Sequence, residues 1–129
     1  MILAIGSDLC NIERIQNSLD RFGERFELRV FTEVERAKAA RRPFTKAGTL
    51  AKRFAAKEAF SKAMGTGIHF PVNWHNVWVE NERSGRPVLC YSEALQGLMQ
   101  QRGVARSHLS ITDETGMASA FVILEGPAA

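Results

Sequence analysis

The chain opens with an apolar, β-compatible run, Met1 to Leu9 (MILAIGSDL), whose one acidic side chain, Asp8, falls at the end of the predicted strand. The spacing then turns helical. Ile12, Ile15, Leu19, Phe22 and Phe26 recur at steps of three and four and predict one apolar stripe, while Arg14, Arg21, Arg25 and Arg29 recur at steps of seven and four as a second, exposed stripe. Gly23 breaks or bends this run, so two short helices fit as well as one. Thr32 and Glu35 have capping-box spacing and open another helix, which Pro43 stops. From Lys46 to Met64 (KAGTLAKRFAAKEAFSKAM) there is no proline, and this stretch predicts the longest helix, ended by Gly65.

Beyond Gly65 the period becomes strand-like. Val77 to Val79 and Val88 to Tyr91 predict two strands joined by the turn Ser84 to Pro87. Ser92 caps a helix from Glu93 to about Gln101, closed by Gly103. His108 to Thr112 and Met117 to Leu124 predict a hairpin joined by Asp113 to Gly116. The fold class is α+β: a small, mainly antiparallel sheet covered on one side by one long helix and several short ones, in a single domain over 1–129. A chain of 129 residues that is 45% hydrophobic and 24% charged folds around a core, which excludes disorder. No run approaches the roughly 18 to 20 apolar residues of a membrane-spanning helix, and the apolar start lacks the basic flank of a secretory signal. The expectation is a cytoplasmic protein. Cys10 and Cys90 form no CxxC pair and read as buried free thiols.

Charge adds a direction. The net charge is +3, but residues 11–62 carry +6 and the remainder −3. A basic segment of this kind calls for an anionic partner, which could be nucleic acid, a phosphorylated cofactor or an acidic protein.

The densest chemistry lies on the long helix. Glu58 and Lys62 share a face with Ala51 and Ala55, whose small side chains leave room beside them, and Arg53 and Lys57 form a neighbouring basic pair. From spacing alone, Glu58 and Lys62 read as an ordinary helix ion pair. Asp8 supplies a second feature, since a carboxylate ending an apolar strand is costly to bury alone; by itself it reads as a turn or cap residue. If the strand end packs on the long helix, Asp8 and Glu58 approach and repel unless a cation lies between them. Mg²⁺ suits such a vacancy, with Lys62 one turn away to meet a phosphate oxygen. Gly65, Thr66 and Gly67 follow a helix C-terminus, so as a phosphate loop they are weak and a cap plus tight turn accounts for them. His108 begins an apolar strand beside Arg106, where it could face an anion. Trp74 and Trp78, four apart, fall on one face as core or interface residues. The three histidines have no zinc-ligand spacing.

Taken together, Ile5-Gly6-Ser7-Asp8, Ile12-Glu13-Arg14, the stretch Arg53 to Ala63 with Gly65-Thr66-Gly67-Ile68, Gly85-Arg86-Pro87, His108 to Thr112 and Ala120 to Ile123 resemble the holo-acyl-carrier-protein synthases, which are small phosphopantetheinyl transferases. The helix motif RFAAKEAFSKAMGTGI is the specific piece. The resemblance implies a phosphopantetheinyl transferase-like fold and a Mg²⁺-dependent transfer of 4′-phosphopantetheine from coenzyme A to a serine of apo acyl carrier protein. Adenosine 3′,5′-bisphosphate leaves, and the reaction serves fatty acid biosynthesis. It also implies a homotrimer with active sites at subunit interfaces, and neither nucleic acid nor membrane as partner.

Carried over by residue, Asp8 and Glu58 match the Mg²⁺ ligands and Lys62 the lysine on the pyrophosphate. Gly65, Thr66, Gly67 and Ile68 match part of the coenzyme A cleft, and Arg53, Arg86, Pro87 and His108 match contacts made from the neighbouring subunit. Arg14, Arg21 and Arg25, with Phe22 beside them, match the face that docks the acidic carrier protein. One position departs: many relatives carry a histidine after the Ser/Thr of the late strand, and here Asp113 follows Thr112. Deprotonation of the serine then falls to Asp113, Glu58 or a metal-ordered water. The competing class is a basic nucleic-acid-binding module, which explains the arginines but not Asp8, Glu58 and Lys62 together.

Overall fold

In the computed structural model, which describes residues 1–128, the apolar opening run is strand β1 (Ile2–Asn11). Its last residue caps the next helix: Asn11 Oδ1 accepts from the N–H of Glu13 and Arg14, two donors that a helix start leaves unpaired. Helices α1 (Ile12–Phe22) and α2 (Glu24–Val30) are separate, because Gly23 between them takes φ +56°, ψ −131°, a conformation only glycine adopts freely. Helix α3 (Glu33–Ala40) starts on the expected capping box, with Thr32 N donating to Glu35 Oε1 at 3.0 Å. It ends before Pro43, which opens a single 3₁₀ turn (Pro43–Thr45) leading into α4 (Lys46–Met64). Strands β2 (Val77–Asn81) and β3 (Pro87–Tyr91), helix α5 (Glu93–Gln101) and strands β4 (Arg106–Glu114) and β5 (Met117–Glu125) complete the chain.

Two antiparallel sheets form where one was expected: β1-β5-β4, and the β2-β3 hairpin by itself. The reason lies in α4. Twelve of its 19 residues are buried, so it needs cover on more than one side, and α1, α3 and β2 pack on flanks that the three-stranded sheet leaves open. The final hairpin is also tighter than expected. Asp113 and Glu114 belong to β4, and only Thr115 and Gly116, at φ 50° and 79°, make the turn; positive φ at both positions is what a two-residue hairpin of matching twist requires.

The alanines of α4 do not leave open space. Ala51, Ala55 and Ala59 are fully buried, because the helix lies directly on β1. At Gly6 the approach is so close that a Cβ would stand 2.0 Å from Ala59 O and 2.8 Å from Ala63 N.

The expected basic pair is internal as well. Lys57 has no solvent exposure, and its Nζ lies 2.6 Å from Glu35 Oε1 while donating to Val30 O and Trp74 O at 2.7 and 2.5 Å. The other oxygen, Glu35 Oε2, accepts from Val79 N at 3.0 Å. Burial pushes the Lys57 ammonium down and Glu35 opposes that. One capping glutamate thus ties α3 to α4 and β2. Among the described residues no helix is long and apolar enough to cross a membrane.

Candidate active site

Asp8 follows Gly6 by two residues on β1 and so shares its face, which is the face turned to α4. The contact that excludes a side chain at Gly6 therefore brings the Asp8 carboxylate to the C-terminal half of the helix. Lys62 Nζ sits 2.9 Å from Asp8 Oδ1 and 3.3 Å from Ser7 O, at a cleft of about 540 Å³ lined by Ser7, Asp8, Leu9, Lys62 and Ser119. Glu58 stands one turn before Lys62. Partial burial raises its carboxyl above the usual range and the charge of Asp8 raises it further, against Lys62 and Arg14. Hydrogen bonding to Asp8 raises the Lys62 ammonium in turn. Asp8, 50 or more positions earlier in the chain, thus contacts Lys62 and lies near enough to Glu58 to act on its charge.

Two neighbouring carboxylates, Asp8 and Glu58, with a lysine beside them fit a divalent cation bound through oxygen. Such a donor set is what Mg²⁺ uses, an ion commonly held by one or two carboxylates plus water and phosphate. Next to Lys62, the residues Gly65 to Ile68 form the helix cap: Gly65 is left-handed (φ 74°), and the N–H groups of Thr66 and Gly67 both turn back to Ser61 O. Arg102 also donates to Met64 O, holding the end of α4 against the residues that follow α5.

The other half of α4 faces a different cleft, about 580 Å³, lined by Lys38, Arg41, Arg42, Lys52, Arg53 and a single carboxylate, Asp113. Arg53 is only 3% exposed, and its burial lowers the guanidinium's affinity for its proton. It donates from Nη1 to Thr49 O and from Nη2 to Asn81 Oδ1, and its Nε has no partner. Gly85 and Pro87 stand in the same wall, and Arg86 pairs with Glu82 at 2.9 Å. Asp113 Oδ1 lies 3.6 Å from Lys52 Nζ. Within one chain Asp113 does not join Asp8 and Glu58. The register sets it two strands across and two residues along from Asp8, about 12 Å between Cα atoms at ordinary sheet spacings.

His108 lies on the outer face of the three-stranded sheet, where the anion it meets is Glu125 at 2.9 Å. Glu125 Oε1 also accepts from Arg106 Nε, and the two bonds hold this carboxyl below its ordinary range, His108 contributing most.

Arg14, Arg21, Arg25 and Arg29 line the exposed side of α1 and α2. Phe22 leaves the predicted apolar stripe, being 49% exposed under the Arg21 guanidinium, because the helix ends there at Gly23. Arg14 lies 5.9 Å from the ring centroid of Phe54, which stacks on Trp74 at 5.1 Å, and its charge also acts on Glu58, so the basic face reaches the acidic cluster. Trp74 does not share a strand with Trp78, since β2 begins at Val77; the Trp78 indole donates to Glu80 instead.

Sequence reading missed Lys38, Arg41, Arg42, Lys52 and Asn81 as a group. The +6 charge of residues 11–62 was the available signal, but helical spacing alone does not say which of these bases face one cleft.

Residues 4–117 match the 4′-phosphopantetheinyl transferase superfamily. The chain is 61% identical, over 97% of each sequence, to a holo-acyl-carrier-protein synthase of Erythrobacter litoralis. Its fold is similar to that of the holo-acyl-carrier-protein synthase of Neisseria meningitidis, with a TM-score of 0.91 at 38% identity over 97% of this chain and 99% of that one. The Bacillus anthracis enzyme in complex with coenzyme A (3′,5′-ADP) matches with a TM-score of 0.81 at 37% identity, over 98% of this chain and 99% of that one.

Proposed function

The chain belongs to the 4′-phosphopantetheinyl transferase superfamily, and within it to the holo-acyl-carrier-protein synthases, and from that premise we propose how its residues divide the reaction. The enzyme transfers 4′-phosphopantetheine from coenzyme A to a serine of apo acyl carrier protein. The serine Oγ bonds to the phosphorus that carries pantetheine, the bond to the bridging oxygen breaks, adenosine 3′,5′-bisphosphate leaves, and the serine proton passes to a base. In such displacements the protein's part is chiefly positioning and charge neutralisation.

Asp8 and Glu58 are the residues that would hold Mg²⁺, which when bound offsets negative charge on the pyrophosphate. Lys62, released from Asp8, binds a phosphate oxygen. The serine proton passes to Glu58 or to a metal-ordered water at the acidic cluster; Asp113, in the far cleft, acts only from a neighbouring chain. Gly65, Thr66, Gly67 and Ile68 border the pantetheine side, and Arg53, Arg86, Pro87 and His108 contact coenzyme A across the interface. Arg14, Arg21, Phe22 and Arg25 receive the acidic carrier protein. The observation that supports this division is the meeting of Asp8 with Glu58 and Lys62.

The assembly is a homotrimer. Its support is the outer face of β1 and β5, where Ile5 (61%), Leu9 (67%) and Phe121 (44%) are exposed together, an apolar face of the kind that marks protein interfaces. Function in the cytoplasm, within fatty acid biosynthesis, agrees with two free thiols at Cys10 and Cys90.

The test mixes the protein with apo acyl carrier protein, coenzyme A and Mg²⁺ and reads the carrier by mass spectrometry. One added phosphopantetheine group that depends on Mg²⁺ is expected. An unmodified carrier, or modification indifferent to chelation, contradicts the reading.

A further inference from the structure

We infer that Asn81 is a positioning residue for coenzyme A: it sets the orientation of the Arg53 guanidinium and couples it to the turn Ser84 to Pro87. This rests on the proposed assignment of Arg53, Arg86 and Pro87 to coenzyme A. Arg53 is nearly sealed from water, yet among the described residues no carboxylate oxygen hydrogen-bonds to it. Glu35 is the carboxylate near enough to act on its charge, but the Glu35 oxygens are committed to Lys57, Thr32 and Val79. Only two neutral acceptors, Thr49 O at 3.2 Å and Asn81 Oδ1 at 3.1 Å, hold the guanidinium, and Nε is unpartnered. Thr49 lies one turn back on the same helix, so its carbonyl follows Arg53 wherever α4 goes. Asn81 is the acceptor that fixes Arg53 relative to another element.

Asn81 is suited to this because an amide both accepts and donates. Its Oδ1 takes Arg53 Nη2 while its Nδ2 donates to Gly85 O at 3.0 Å. It is also the last residue of β2, paired in register with Pro87, which has no N–H, so the backbone ladder gives the turn no donor from Pro87 there. The backbone closes the turn through Glu82 N to Arg86 O and Gly85 N to Glu82 O, both at 2.8 Å, and the Asn81 side chain adds the tie from Gly85 O to Arg53. Gly85 carries φ 96°, a conformation that favours glycine, and its carbonyl is the one the Asn81 amide holds. A carboxylate in its place has no donor for Gly85 O, and an alkyl side chain has neither function.

The test is steady-state kinetics of Asn81→Ala with coenzyme A and carrier protein varied separately. Loss of one hydrogen bond to a charged group predicts a rise in KM for coenzyme A of about tenfold, with kcat and carrier KM within about twofold. Asn81 is exposed, so the melting temperature stays close to that of the parent. The reading that a merely structural role would not move is a double-mutant cycle. In an Arg53→Met background, or Arg53→Lys where Met does not fold, adding Asn81→Ala leaves KM for coenzyme A where the Arg53 variant alone put it. An unchanged KM in Asn81→Ala, or an equal effect of Asn81→Ala with and without Arg53, overturns the inference while leaving Arg53 in place. An unchanged KM in the Arg53 variant overturns the assignment of Arg53, and the inference with it.

Discussion

Lys57 and Lys62 stand five residues apart on α4 and each meets a carboxylate, yet the first pair is sealed in the core and the second faces the cleft. Around Lys57 the partners are committed: Glu35 accepts from three elements and Lys57 donates to two carbonyls besides. Nothing there is left to bind a ligand. Around Lys62 the opposite holds: its side chain is 55% exposed, its Nζ donates to both Asp8 Oδ1 and Ser7 O, and Glu58 beside it is raised by partial burial and by the charge of Asp8. An ion pair with every polar atom satisfied organises a fold; one that stays open to water, with a second carboxylate beside it, is available for chemistry.

The largest effect that would break this contrast is Lys57→Met. It strands the Glu35 carboxylate in the core and is expected to cost about 3 to 5 kcal/mol of stability, read from urea unfolding. A loss below about 1 kcal/mol would mean that the buried pair does not organise the core. Next, Glu58→Gln should lower kcat on the order of 10² to 10³-fold with the urea midpoint unchanged, since it removes a charge used in the reaction and not in packing; full activity would take Glu58 out of the site. Smaller again is the stability change for Lys62→Ala. The pair is on the surface, so less than about 1 kcal/mol is expected, and a larger value would erase the distinction between the two lysines. Smallest of all, Arg14→Ala and Arg21→Ala should raise KM for carrier protein about threefold at low salt, leaving coenzyme A kinetics alone, with the difference fading as salt is added. Equal losses toward both substrates would move the arginines off the carrier face.

What could be read beforehand divides along the same line. The capping box at Thr32 and Glu35, the Ser92 cap, the Gly65 terminus and the span of α4 are local signals within four residues of each other, and each stands as expected. The second role of Glu35 depends on Lys57, 22 positions on, and the burial of Arg53 on Asn81, 28 positions on. No periodicity carries such contacts. Spacing also could not tell that an alanine face would be filled by a strand, because the feature that closes the gap is a missing side chain at Gly6. The acidic cluster was legible only as a conditional, if β1 packed on α4; of the basic cleft, which draws on α3, α4, β2, β3 and β4, only Arg53 and Pro87 were grouped beforehand, and by resemblance, not by spacing.

Helix α4 holds its two clefts apart. From Lys52 to Lys62 is ten residues, about 15 Å of helix, too far for one pyrophosphate and its cation to reach both ends. In the proposed assembly every chain therefore works with a different half of two separate centres. Damage then sorts by position: chains faulty at opposite ends of the helix complement each other when they assemble together, whereas chains faulty at the same end do not, however thoroughly they mix.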